Sequence, residues 1–429
     1  MLTILIFAIL LVLILLNLPI VVAIALTAVA FFVGLGQGGF LAMLPQRMYS
    51  GTTGFVLLAV PFFILAGNLM NTGGITNRIF RFAKALVGHV PGGLGQVSVL
   101  SSMIFSGMSG SAVADAAGLG QIQHKAMVDN GYKPAISASI VASASTIGPV
   151  IPPSIPFVLY GALTGVSVAR LFMAGLLPGI IMGLAMMIVL AVMAKPRGFP
   201  RSERARLNEL WKSLKSACLP LLAPIIIIGG ILSGIFTPTE ASVVVCVYAA
   251  ILGFAYKDLK MKDLPEIFWK SIKQSAGLLF IMAAANFFGW MVMYQSIPDN
   301  IIGNLATMSA SSSGVVWMII AIVLVLGCFL EGNAIFFITI PVFLPIATQY
   351  GLDLVNFGVV MTLLIMVGNL TPPVGMCIFA VSSFSKIGVW ELAKECWPYI
   401  LGVLVVAILI AFVPEISTWL PNLLMGLGS

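Results

Sequence analysis

The chain has 429 residues, of which 60% are hydrophobic and 8% charged, with a formal net charge of +7 and a mean hydropathy of +1.13. Soluble domains carry about 25% charged residues, so a soluble globular protein is excluded. The apolar runs are continuous rather than alternating, which excludes a membrane β-barrel and leaves an all-α polytopic membrane protein.

Residues 2–16 and 20–33 are apolar runs parted by Asn17 and Pro19. Each is shorter than the roughly 20 residues of a typical span, so one long tilted helix and a tight hairpin of two short helices both fit. A signal peptide would need a basic n-region and a cleavage site, and neither is evident. Residues 54–70 form the next span, and Arg78, Arg81 and Lys84 then mark a basic surface segment. Between Pro91 and Asn130, two moderately apolar runs flank Phe105-Ser106-Gly107-Met108-Ser109-Gly110-Ser111. Neither run is long enough to cross, which predicts a re-entrant hairpin with its tip at the Ser/Gly cluster.

The apolar segment 135–162 is interrupted by Thr146-Ile147-Gly148-Pro149-Val150-Ile151-Pro152-Pro153-Ser154. Proline removes a backbone donor and clashes with the preceding turn, so no helix passes through Pro152-Pro153 unbroken. Lipid cannot satisfy the freed backbone groups, so such a break belongs against protein or a watery cavity. A span over 171–194 follows, then a soluble linker over 195–216 with seven basic residues. The second half offers spans over 219–236, 240–256 and 277–294. After these come a second hairpin over 314–348 with its tip at Leu330-Glu331-Gly332-Asn333, a broken helix over about 355–379, and a last span over 399–413.

The second break, Gly368-Asn369-Leu370-Thr371-Pro372-Pro373-Val374-Gly375, lies 220 residues after the first. The same offset relates Gly148 to Gly368, Gly131 to Gly351 and Pro178 to Pro398, while Asn17-Leu18-Pro19 falls one residue out against Thr237-Pro238-Thr239. A shared offset over most of the chain points to duplication, and it favours two short helices at the start. Paired broken helices in matching halves are the best sequence pointer to a transport site. The expected regions are scaffold helices and an arm over 1–94, a transport unit over 95–194, the linker over 195–216, scaffold helices over 217–313 and a second transport unit over 314–429.

With the linker cytoplasmic, segments 75–94, 125–134, 195–216, 257–273 and 383–395 lie inside. They hold three, two, seven, five and two basic residues, 19 of the chain's 21, leaving only Arg47 and Arg170 outside. This bias fits the positive-inside rule and makes the two repeats inverted. The pI near 9.2 then reflects topology and contact with lipid headgroups rather than nucleic acid. Arg47, Arg170, Asp299 and Asp353 mark the opposite face.

A break exposes carbonyls at one half-helix end and amides at the other, which suit Na⁺ and a carboxylate respectively. Ser106, Ser109 and Ser111 at the first tip, with Thr146 and Ser154 at its break, can supply both. At the second site the candidates are Gly332, Asn333, Gly368, Asn369 and Thr371. Small residues also permit close helix packing, but two such clusters, each followed by a break at matched offset, favour a site. Among the acids placed deepest, Glu331 is positioned to orient a substrate or carry a proton, and Asp115 to do likewise or to cap or pair within its hairpin. Glu240 reads as a first-turn helix residue and His124 as interfacial. The five cysteines show no pair pattern, and neither a phosphate-binding loop nor an enzymatic constellation is present.

These motifs resemble the large membrane subunit of TRAP (tripartite ATP-independent periplasmic) transporters. The resemblance covers essentially the whole chain. It rests on the first tip leading into Ala112-Val113-Ala114-Asp115 and on the two Pro-Pro breaks. It implies no enzyme but a secondary transporter of the bacterial inner (plasma) membrane, importing an organic acid with two or more Na⁺ ions. The sialic-acid branch is the nearest and C4-dicarboxylates the alternative. The implied fold is an elevator of two inverted repeats, each with three scaffold helices, a re-entrant hairpin, a broken helix and a further helix. The implied partners are a small four-helix Q-type membrane subunit and a P-type periplasmic substrate-binding protein, expected here as separate chains.

Carried over by position, the first sodium site falls on Ser106, Ser109, Gly148, Ile151 and Pro153. The second falls on Gly332, Gly368, Thr371 and a carbonyl near Val374. The substrate carboxylate meets Ser109 and Ser154, with Glu331 nearby. The second tip is Glu-Gly-Asn rather than a serine cluster, which points to the first half as the carboxylate holder. The competing reading is a proton- or sodium-coupled organic-anion transporter or antiporter that works alone, with Glu331 and Asp115 as carriers.

Overall fold

The computed structural model describes residues 2–16, 18–307 and 311–426; Asn17, at the first predicted junction, and 427–429, at the end of the second predicted transport unit, lie outside the described residues. The chain opens with two helices, α1 (Leu2–Leu15) and α2 (Ile20–Gly34). Pro19 stands immediately before α2 with φ −54° and ψ 135°. With no N–H to donate, it opens a helix but cannot continue one, so two short helices replace one long one.

A short helix α3 (Leu44–Ser50) precedes α4 (Ala59–Thr72) and the amphipathic α5 (Ile75–Val87). In α5 the residues Ile75, Ile79 and Ala83 recur at one-turn spacing on the buried face, while Arg81 and Lys84 are exposed. The first hairpin is α6 (Gly93–Ser109), returning through α7 (Ala112–Ala117) and α8 (Leu119–Asp129). The broken helix is α9 (Pro134–Ser145) and α10 (Ile155–Thr164), followed by the long α11 (Val168–Ala194).

The linker expected over 195–216 is loop only to residue 206, because α12 runs over Leu207–Leu232. Glu209 accepts a hydrogen bond from the Arg206 backbone N–H at 3.2 Å, which holds the first turn in place. Hydropathy marks where a helix enters lipid, not where it begins. For the same reason α13 (Pro238–Ala255) is followed by an α14 (Leu264–Tyr294) that starts well before the predicted 277. A further helix that the sequence did not indicate, α15 (Ile297–Thr307), leads to the second hairpin, α16 (Ser312–Phe329) and α17 (Gly332–Gln349). The second broken helix is α18 (Leu354–Gly368) and α19 (Met376–Ser385), followed by α20 (Val389–Phe412) and the unforeseen α21 (Glu415–Met425). Pro134 and Leu354, Ile155 and Met376, and Val168 and Val389 open corresponding helices 220 or 221 residues apart.

Side-chain contacts fix the relative directions of three central helices. Thr239 donates to the Phe55 carbonyl at 3.4 Å and Cys246 to the Phe62 carbonyl at 2.8 Å, so α13 runs parallel to α4. Asn68 donates to Ser271 at 2.9 Å and to Gln274 at 3.0 Å, while Gly51 lies against Asn286. Helix α14 is therefore antiparallel to α4. The end of this layer near Gly73, Gly253 and Ser271 is the basic end. There Arg78 pairs with Asp258 at 2.7 Å and its guanidinium lies 3.7 Å from the Tyr256 ring centre.

Candidate functional site

Each hairpin tip docks on the break that follows it. Ser109 ends α6 and Gly110 turns at φ +65°, where a Cβ would lie 2.6 Å from the Pro153 carbonyl oxygen. Glycine meets both demands without strain. Ile155 N–H then donates to the Gly110 carbonyl at 3.4 Å. At the second tip, Val374 N–H donates to the Cys328 carbonyl at 3.1 Å. A Cβ on Gly368 would lie 2.8 Å from the Gly327 Cα. Both Pro-Pro peptide bonds, 152–153 and 372–373, are cis.

The two tips face one cavity of about 370 Å³. Its hairpin side carries Ser109, Glu331, Gly332 and Asn333, with Pro149 and Asn369 from the breaks; Gly67 of α4 and Lys273, Gln274 and Gly277 of α14 close the other side. Gly67 allows the approach: a Cβ there would meet the Ser109 Cα at 3.4 Å. Asn333 donates to Glu331 at 2.7 Å, which holds this acid at the cavity wall.

Of the predicted residues, Ser109, Ser111, Glu331, Gly332, Asn333 and Asn369 line the cavity, while Ser106, Gly148, Ile151, Pro153, Ser154, Gly368, Thr371 and Val374 are outside its lining. The Ser106 hydroxyl donates to the Met103 carbonyl at 2.7 Å. Ser154 is fully buried; its hydroxyl donates to the Pro149 carbonyl and accepts from Phe157 N–H at 3.2 Å, capping α10. Thr371 donates to the Val367 carbonyl at 2.9 Å and to that of Gly368 at 3.1 Å.

The two predicted ion sites differ in how their oxygens are used. Among the described residues, no hydrogen bond ends on the carbonyls of Gly148, Ile151 or Pro153; in the second site that of Val374 is likewise open, whereas those of Gly368 and Thr371 accept from Thr371 and Gly375 N–H at 3.0 Å each. Asp115 adds a carboxyl group to the first set. Only 2% exposed, it leaves both carboxylate oxygens without a hydrogen-bond partner, and a Cβ on Gly148 would lie 2.4 Å from Oδ2. The cap of α7 is Ser111, accepting from Ala114 N–H at 3.4 Å, so Asp115 does not cap it; the polar side chain that faces its carboxyl is Ser109 of the same hairpin. Open carbonyls beside an unpaired carboxylate suit a hard cation such as Na⁺.

Sequence reasoning missed Gly67, Lys273, Gln274 and Gly277, which lie on α4 and α14, outside any broken motif. The one available signal was helical: Gln274, Leu278, Met282 and Asn286 recur every fourth residue along α14. His124, expected at the interface, is half-buried and meets Ser137 at 2.9 Å. Among the described residues, no three His, Cys, Asp or Glu side chains gather as a metal cluster.

Paired helical hairpins and broken helices around one cavity, in a chain with eight candidate spans among its described residues, make up a polytopic membrane protein. Two solved transporters share the fold. YdaH of Alcanivorax borkumensis matches with a TM-score of 0.61 at 16% identity, covering 88% of each chain. MtrF of Neisseria gonorrhoeae matches with 0.60 at 13% identity, covering 89% of this chain and 84% of that one. The chain belongs to the family described as the tripartite ATP-independent periplasmic transporter, DctM component, whose model matches residues 7–416.

Among its relatives, the sialic acid TRAP transporter permease protein SiaT of Haemophilus influenzae is 42% identical over 89% of this chain, which spans 62% of that protein's length. The sialic acid TRAP transporter large permease protein SiaM of Vibrio cholerae is 40% identical over 94% of both proteins. The C4-dicarboxylate TRAP transporter large permease protein DctM of Pseudomonas aeruginosa is 38% identical over 88% of both.

Proposed function

We propose that this chain is the membrane permease of a sodium-coupled importer of organic acids, moving its substrate by an elevator motion. One observation carries the reading: both hairpin tips and both breaks converge on a single cavity whose other side is made by α4 and α14. Such a cavity can travel with the hairpins while the scaffold stays fixed. The relatives' names favour sialic acid, with a C4-dicarboxylate as the alternative.

In this reading the substrate carboxylate meets Ser109, with Ser154 holding the break behind it and Glu331 facing the remaining polar groups. One Na⁺ is held by the carbonyls of Gly148, Ile151 and Pro153 with Ser106, Ser109 and Asp115. Another is held near Gly332, Gly368, Thr371 and Val374, where, among the described residues, the Val374 carbonyl accepts no hydrogen bond and that of Thr371 keeps a second lone pair. The repeats are inverted, as the antiparallel α4 and α14, counterparts at the 220-residue offset, support. The basic end faces the cytoplasm of a bacterium and the protein sits in its inner membrane, so the cavity beside Lys273 opens inward. A small membrane subunit buttresses the scaffold and a periplasmic binding protein delivers the acid to the opposite face.

The test is uptake of radiolabelled sialic acid and succinate into proteoliposomes, with and without an inward Na⁺ gradient, omitting each partner in turn. Uptake of one acid that needs Na⁺ and both partners is expected. Uptake by this chain alone would instead establish a stand-alone transporter.

A further inference from the structure

The stripe Gln274, Leu278, Met282, Asn286 puts one face of α14 toward two cavities. Gln274 and Leu278 line the inner cavity, while Met282 and Asn286 line a second one of about 580 Å³ at the far end of the scaffold. This far cavity lies between the loop before α4 and the α10–α11 turn of the transport unit. Twelve residues separate Gln274 from Asn286, which is about 18 Å along a helix rising 1.5 Å per residue.

The two ends are unequal in charge. The lining of the inner cavity contains one cation, Lys273, and one acid, Glu331. The far cavity is lined by neutral polar groups, among them Ser50, Thr237, Thr239 and Asn286, and by no charged residue. The ion pairs among the described residues are Arg78 with Asp258 and Arg197 with Glu395, so Lys273 has no acidic partner. The positive-inside rule accounts for a basic residue near this helix end. It does not account for one that lines the cavity at the hairpin tips.

We propose that Lys273 is a substrate-binding residue specific to the inner position, a scaffold-fixed counter-charge that meets the substrate carboxylate only when the hairpins stand at the basic end. When the transport unit moves to the far end, the carboxylate leaves Lys273 behind and faces the neutral Asn286. A ligand shifts an equilibrium only by its differential affinity for the two states, and Lys273 supplies such a difference in favour of the inner position. This rests on the organic-acid and elevator reading above.

The experiment uses the complete complex with its five native cysteines replaced. A disulfide between Gly289→Cys on α14 and Pro341→Cys on α17 holds the inner position; a Cβ on Gly289 would lie 3.3 Å from the Pro341 Cβ, and neither residue lines either cavity. One between Val113→Cys and Met282→Cys holds the far position. Binding of radiolabelled sialic acid and succinate in Na⁺ is then measured in each locked form. Lys273→Gln is expected to weaken binding about five- to tenfold in the inner form and to leave the far form unchanged, with Lys273→Arg restoring the inner affinity. Equal weakening in both forms, no weakening in the inner form, or a far disulfide that never forms would overturn the assignment. If the unlocked complex with Lys273 intact binds neither acid, the organic-acid reading itself fails, and that outcome is distinct from the others.

Discussion

An unpaired carboxylate in a buried setting costs several kcal/mol unless a cation or proton compensates it, and Asp115 is in that position. Asp115→Asn preserves its size and removes the charge. Without Na⁺ the variant's melting temperature should equal or exceed the parent's, because the costly charge is gone; Na⁺ should then raise it far less than it raises the parent's. A full Na⁺-dependent rise in Asp115→Asn would remove this residue from the ion site. The identity of the acid was legible in the sequence, but its lack of a partner was not, because that depends on Ser111 taking the cap. Gly110 was legible only as one member of a Ser/Gly cluster. Its φ of +65° and its 2.6 Å limit to Pro153 predict that Gly110→Ala costs on the order of 1–3 kcal/mol. The readouts are a lower melting temperature and reduced uptake.

A break works as an element only when its two half-helices are separately finished, and Ser154 finishes α10 by accepting from Phe157 N–H. Ser154→Ala should cost about 1 kcal/mol through the lost cap and weaken substrate binding by loosening the Pro149 turn that lines the cavity. Unchanged affinity with an unchanged melting temperature would refute that role. Gly368→Ala tests the other break, since its Cβ would press on the Gly327 backbone at 2.8 Å and force α16 from α18. The breaks and tips were readable because Pro-Pro and Gly clusters disrupt helices wherever they fall. The starts of α12 and α14 were not, because their first turns are polar and sit outside the apolar windows that reveal a span. Helices α15 and α21 escaped for a related reason: each is only 11 residues long and carries a proline, at Pro298 and Pro421.

At the scale of the molecule, the duplicated motifs and basic-residue bias were enough to anticipate two hairpin-and-break units. The way the scaffold faces them required coordinates, because nothing in the sequence pairs Asn68 with Gln274 or Gly51 with Asn286. Those pairings run α14 past both cavities, which separates an elevator from a rocking motion by a direct test. In a rocking protein the tips stay level with the same turn of α14 while the gates open and close around them. An elevator instead carries the tips from Gly277 toward Met282 and beyond. The Gly289→Cys/Pro341→Cys disulfide, which lies outside both cavities, should therefore abolish uptake, leave substrate binding intact, and release full uptake on reduction. In the locked protein, Ser50→Cys, exposed in the far cavity, should still react with a membrane-impermeant thiol reagent from outside, since the hairpins cannot rise to cover it. Protection of Ser50→Cys in the locked form would mean that the far cavity closes without the hairpins moving, and the elevator would give way to a rocking mechanism.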